Sequence, residues 1–351
     1  MLVKKSIFLG LMLIGFNALG QTDSLFKHVK VSLYAETYFQ NKWPNANQNS
    51  RPDYVYSFNR LNEVNLNLGF IKATYDNQKT RANVGLMAGT YAQSNLANEP
   101  AAVRNVWEAN LGFKVLKNKN MWIDMGVMPS HIGFESAIGK DCWHLTRSLM
   151  ADNSPYFETG LRVSNTSKNE KWYTALLVLN GWQNIYQRPN IQTPAFGHQI
   201  TYQPNDKTLF NSSSFVGESI RDSVKGTRWF HNFYVKQTLS KKWAMIGAFD
   251  IGFQTYQQDN YQWHAVVLGA QYLWTSKKKW AFRLEQYKDY NNVIISETYK
   301  NFSGLGASIN FDYHLSEQMQ LRCEAKYFNV DELRFKTQGQ FTTCVSLAWG
   351  I

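Results

Sequence analysis

The sequence predicts an all-β protein: a transmembrane, antiparallel, up-and-down β-barrel of about sixteen strands, with fourteen to eighteen as the range. Three observations point there. Apolar and polar residues alternate with a period of two from end to end. The connections between these runs sort into short polar turns and longer loops. The chain also finishes on FTTCVSLAWGI, a complete amphipathic strand with no tail, as closure of a barrel would require.

The first segment, residues 1–20, has the parts of a secretory signal peptide. Lys4 and Lys5 precede an apolar stretch from Ile7 to Phe16 and a small-residue site at Ala18-Leu19-Gly20. Residues 21–351 are then expected to form one barrel domain. Alternating runs begin near residues 29, 61, 80, 104, 120, 155, 171, 196, 208, 227, 242, 262, 279, 303, 318 and 340. The clearest is Leu305, Ala307, Ile309, Phe311 and Tyr313 against Gly304, Gly306, Ser308, Asn310 and Asp312; those near 61, 196 and 208 are weak. Seven connections are short: near Asp76–Thr80, Lys117–Asn120, Thr166–Lys171, Asn205–Lys207, Ser240–Lys242, Ser276–Lys279 and Ser316–Gln318. The other eight read as mostly longer, alternating with the short ones, which puts short periplasmic turns at one end and long extracellular loops at the other.

A secreted β-sandwich or propeller also alternates. Against it, the polar face carries pairs suited to a wet lumen, such as Arg283/Glu285 and Arg322/Glu324/Lys326. Trp122, Trp172, Trp243, Trp274 and Trp280 sit beside short turns, where an interfacial aromatic girdle belongs. The three cysteines, Cys142, Cys323 and Cys344, form no disulfide framework, and alternation puts Cys323 and Cys344 on opposite faces. The net charge of +11 suggests an anion channel or a nucleic-acid binder, but much of it lies in the short turns, where lysines suit lipid phosphates. The lumen face itself reads as mixed, so charge alone leaves ion preference open.

The longest connection, PSHIGFESAIGKDCWHLTRSLMADNS over Pro129–Ser154, is too apolar for a disordered tail. Two readings stand. The loop packs into the lumen and narrows it, with His131, Glu135, Lys140, Asp141, His144 and Arg147 facing the pore, or it folds on itself at the mouth. The candidate pore-lining or constriction residues are His131, Glu135, Lys140, Asp141, Arg147, Arg162, Arg283, Glu285, Arg322, Glu324 and Lys326.

The run from Gly126 through Pro129, Gly133 and Glu135 to Thr146-Arg147-Ser148 resembles the OmpL-like β-barrel porin family. So do Asn153-Ser154-Pro155, Thr159-Gly160 and Asn180-Gly181-Trp182. The resemblance implies an outer-membrane channel of a Gram-negative bacterium and supplies no substrate.

No catalytic constellation emerges: G-x-S-x-G and H-E-x-x-H are absent, and Gly304/Gly306 lack a P-loop lysine. The Gly pair reads instead as a bend or a thin wall against a packed loop. No enzyme activity, cofactor or metal is expected. The leading function is a porin for passive diffusion of small hydrophilic solutes. The alternative is a loop-plugged outer-membrane barrel acting as a surface binding or structural protein, through aromatics such as Trp43, Tyr54, Tyr56, Trp182 and Tyr186. Expected partners are outer-membrane lipid, the barrel-assembly machinery through the C-terminal strand, and small solutes. A homo-oligomer is left open, and nucleic acid is not expected.

Overall fold

In the computed structural model, described for residues 27–44, 49–221, 224–257, 259–295, 301–332 and 335–351, sixteen antiparallel strands close into one barrel. The signal segment expected over residues 1–20 lies outside the described residues. The strands are β1 (Val29–Trp43), β2 (Val64–Asp76), β3 (Thr80–Ala88), β4 (Val106–Lys114), β5 (Asn120–Pro129), β6 (Phe157–Thr166), β7 (Trp172–Leu179) and β8 (Ala195–Asn205). They continue as β9 (Thr208–Arg221), β10 (Val224–Thr238), β11 (Trp243–Tyr256), β12 (Asp259–Thr275), β13 (Lys278–Asp289), β14 (Phe302–His314), β15 (Met319–Glu332) and β16 (Phe335–Gly350). Each pairs with its sequence neighbours, and β16 returns to β1 in a ladder from Tyr34↔Gly350 to Trp43↔Phe341. No edge is left unpaired, so every strand backbone can bond within the wall.

The period of two becomes two surfaces. Phe282 and Leu284 are exposed on the outside of β13, while Arg283, Glu285 and Tyr287 are buried inside. The same split puts Val345 and Leu347 outside and Cys344, Ser346 and Ala348 inside on β16. An apolar outer belt formed by Leu86, Leu111, Met125, Leu176, Phe249, Leu268, Leu305 and their neighbours surrounds a polar interior. The three thiols are free, with Cys344 facing in and Cys323 out, as alternation requires.

Two details depart from the sequence expectation. The seven short turns are present at one end, but the other eight connections are not uniformly longer. Only two residues separate β9 from β10, β11 from β12, and β15 from β16, because those strands run on past the point where alternation is legible. The aromatic girdle also loses a member. Trp172, Trp243 and Trp274 are exposed on the outer face, but Trp122 shares the inward parity of Asp124. It is buried under the Arg81 guanidinium, 4.2 Å from the ring centroid, and its indole N–H donates to Asn120.

Candidate functional site

Between β5 and β6 the chain leaves the wall for residues 130–156 and enters the barrel. Its apolar side chains dictate the move. Ile132, Leu149 and Met150 join the inward Ala175, Leu177, Phe215, Phe230, Ala265, Val267 and Phe302 in one buried cluster, with Phe134 and Trp143 against its edge. Small wall residues make room. A Cβ on Gly197 would lie 2.8 Å from His131 Nε2, and one on Gly304 would lie 3.1 Å from Leu149. The thin-wall reading of Gly304 is therefore met by the loop itself.

The polar side of the loop is tied to the wall by charge. Arg283 on β13 lies 3.1 Å from Glu135 of the loop and 3.1 Å from Glu324 on β15, and it donates to the Thr146 carbonyl. Glu324 in turn accepts from the Thr146 amide and hydroxyl at 2.6 and 2.7 Å. Lys326 bridges Glu285 at 2.7 Å and the Arg147 carbonyl at 2.9 Å, while Glu285 accepts from the Leu149 amide. These side chains are all almost fully buried, so each charge has its counter-charge and backbone partners in place of water. Nearer the short-turn end, Arg322 pairs with Asp312 and donates to the carbonyls of Gly139 and Cys142. Lys140 reaches the Glu317 and Gln318 carbonyls in the turn between β14 and β15. The loop thus runs the depth of the lumen.

Within the loop, Arg147 donates to the carbonyls of Ser136, Leu145 and Ala137, holding it as a compact hairpin. Glu135 accepts from the amide and the hydroxyl of Ser148, and Ser148 caps the short helix α1 (Leu149–Asp152). At the loop's root His131 binds Glu158 through Nδ1 at 2.7 Å and the Ser214 carbonyl through Nε2 at 2.8 Å. Burial disfavours the imidazolium, but the Glu158 carboxylate and the Ser214 carbonyl outweigh it and hold the His131 pKa above its ordinary value. Asp152, cut off from solvent, is pushed up to about 7.

Ten of the eleven candidate residues therefore lie on the inserted loop or on the β13–β15 wall it is tied to, with His131 at the loop's root against β6 and β9. Of these, Lys140 is half-buried and Asp141 exposed, and the other eight are buried. Arg162 stands apart on β6, where it shares Asp124 with Arg81 at 3.3 and 2.5 Å. His131, Glu135, His144 and Arg147 point into packed interior in this arrangement. Glu158 was not among the sequence candidates, although its parity with Arg162 on β6 marks it as inward. The aromatics Trp43, Tyr54, Tyr56, Trp182 and Tyr186 do not gather into a patch. Tyr54 packs on Phe302 and Trp182 on Phe215 and Phe230, while Trp43 faces outward beside Phe341.

On the opposite side, a cavity of about 300 Å³ remains between the loop and the wall, lined by Met87, Trp107, Glu108, Phe134, Tyr156 and Tyr234 among others. Lys72, 2.7 Å from Glu108, stands on that wall together with Arg81 and Arg162. All three cations are partly exposed, whereas Glu108 and Asp124 beneath them are buried.

A barrel of sixteen strands with a long loop folded into its lumen invites comparison with channels. The family model described as "Putative beta-barrel porin-2, OmpL-like" matches residues 28–350. The chain belongs to this family. It is an outer-membrane β-barrel porin, a channel for passive diffusion. The family-like stretches are also the ones that build the seam, since Glu135, Thr146, Arg147 and Ser148 all belong to it. Solved structures share the fold. The anion-selective porin from Comamonas acidovorans superposes with a TM-score of 0.63 at 8% identity, covering 92% of this chain and 99% of that one. The outer-membrane channel DcaP of Acinetobacter baumannii gives 0.64 at 10% identity, covering 92% and 97%. OmpT of Vibrio cholerae, in its trimer form, gives 0.59 at 8%, covering 92% and 99%. No curated protein matches the chain.

Proposed function

We propose that small hydrophilic solutes pass between the inserted loop and the β2–β6 wall, and that the porin conducts rather than catalyses. The carrying observation is the asymmetry of the lumen. Beyond its root, where His131 and Gly133 bond to β6, β9 and β10, the loop is bonded to β13, β14 and β15, while the cavity and the partly exposed Lys72, Arg81 and Arg162 lie on the other side. The buried residues Glu135, Arg147, Arg283, Glu285, Arg322, Glu324 and Lys326 then act by fixing the constriction, with His131 pinning its root. Lys140, half-buried, and the exposed Asp141 form its edge, and the partly exposed Arg162 faces it from β6. A solute on this path meets three cations whose acids lie deeper, which favours a weak anion preference.

Short turns at the periplasmic side, long loops outside, C-terminal-strand recognition during assembly and association with further copies complete the reading. The reversal potential in a salt gradient tests it. Lys72→Glu together with Arg162→Glu should swing the potential toward cation selectivity, and an unchanged potential would place the path elsewhere. The runner-up, a plugged barrel that binds at its surface, draws on the depth of the buried seam, and absence of any conductance would favour it.

A further inference from the structure

The outer face of β8, β9 and β10 carries a polar cluster within the apolar belt. On adjacent strands β8, β9 and β10, His198, Ser212, Ser214 and His231 all point outward at one level, where His198 pairs in register with Ser214 and Ser214 with His231. Ser214 Oγ lies 2.5 Å from His198 Nδ1, and Ser212 Oγ lies 3.2 Å from His231 Nε2 and 3.5 Å from His198 Nε2. The two imidazole rings stand 5.8 Å apart. Phe196, Ile200, Phe210, Trp229 and Phe233, all exposed, lie above and below this cluster on the same strands. On the flanking strands the register continues into Leu176 and Ile251. The cluster therefore sits inside the apolar belt and not at its rim. Toward the long-loop end the same face opens into a groove of about 480 Å³ between Phe196, Val216 and Pro194, rimmed by the ion pair Glu218–Lys225 at 3.0 Å.

Lipid tails offer no hydrogen-bond partner to an imidazole or a hydroxyl, so polar groups at this depth are favoured only where protein covers them. We propose that the β8–β10 face is the seam at which copies of this chain associate in the membrane. A second copy is the occupant that fits. Copies related by an axis along the membrane normal keep the same depth, so the cluster of one meets the cluster of the next. Hydroxyls and imidazoles both donate and accept, which makes the patch complementary to itself. The second ring nitrogen of His231, without a partner among the described residues, gains one there. The groove and its ion pair add a second layer of contact above.

This assignment rests on the reading of the chain as a membrane barrel, and the two can fail separately. In the full-length protein with Cys323→Ala, reconstituted in lipid vesicles, Ser212→Cys should cross-link copies under mild oxidation or with a short bis-maleimide. Phe39→Cys, also outward but on β1 across the barrel, should not. The double variant Ser212→Leu/His231→Leu should shift the protein to monomer in native mass spectrometry. A monomeric wild type, or cross-linking at Phe39→Cys without Ser212→Cys, would overturn the seam. Conductance from the same vesicles reports on the porin reading independently.

Discussion

Arg283 holds more of the site than any other side chain, because Glu135, Glu285 and Glu324 all lie within ion-pair distance of it in a space closed to water. Replacing it with methionine keeps the volume but leaves carboxylates buried without their partner, a change that costs about 3–5 kcal/mol. Arg283→Met should lower the denaturant midpoint in lipid vesicles sharply, and adding Glu135→Gln and Glu324→Gln should recover much of the loss. Protonation gives a second test at this scale. His131 has a raised folded pKa, so its stabilising contribution is complete below the ordinary value of 6.5 and fades as pH rises through the folded value. Asp152 is raised from 3.8 to about 7 and follows the same sign, since its neutral form is the one the fold favours. Both groups predict that the loop loosens as pH rises, Asp152 between 3.8 and about 7 and His131 above 6.5, readable as faster proteolysis of the loop at higher pH. Loosening on acidification would contradict this assignment.

At the level of elements, the loop and the closing strand make separable contributions. Deleting His131–Asn153 removes the apolar insert and its seam while leaving β5 and β6 to be joined by a shorter connection, so the barrel should still form and conduct in larger steps. Truncating Trp349–Ile351 removes the register pairs Tyr34↔Gly350 and Ala35↔Trp349 at the closing ladder. Stable, heat-modifiable barrel should then be lost, and normal assembly would show that closure tolerates a shorter β16. Which elements the sequence reveals follows from what each face touches. Where the outside meets lipid and the inside meets polar groups, as on β14, alternation locates the strand to within a residue. Alternation fades on β8 and β9, whose outer face carries His198, Ser212 and Ser214. The extensions of β9, β10, β15 and β16 are hidden because their ends lie beyond the apolar belt. Where the inserted loop packs, inward positions turn apolar as well, as at Leu177, Leu179 and Phe215, and no periodicity can announce that.

For the whole molecule, closure, the apolar belt and an interior of opposed charges make the wall, and one loop decides how much of the lumen stays open. The candidate charges were readable from parity and composition. Their pairing was not, since Thr146–Glu324 and Arg283–Glu135 join residues 178 and 148 positions apart in sequence. That the loop beyond its root binds the β13–β15 wall and leaves a path along the β2–β6 wall is the central claim, and single-channel recording in a planar bilayer tests it most directly. Purified, refolded wild-type protein should give discrete small steps, and the His131–Asn153 deletion distinctly larger ones. Silence from folded wild type alongside a conducting deletion would contradict the claim, for the loop would then close the barrel completely.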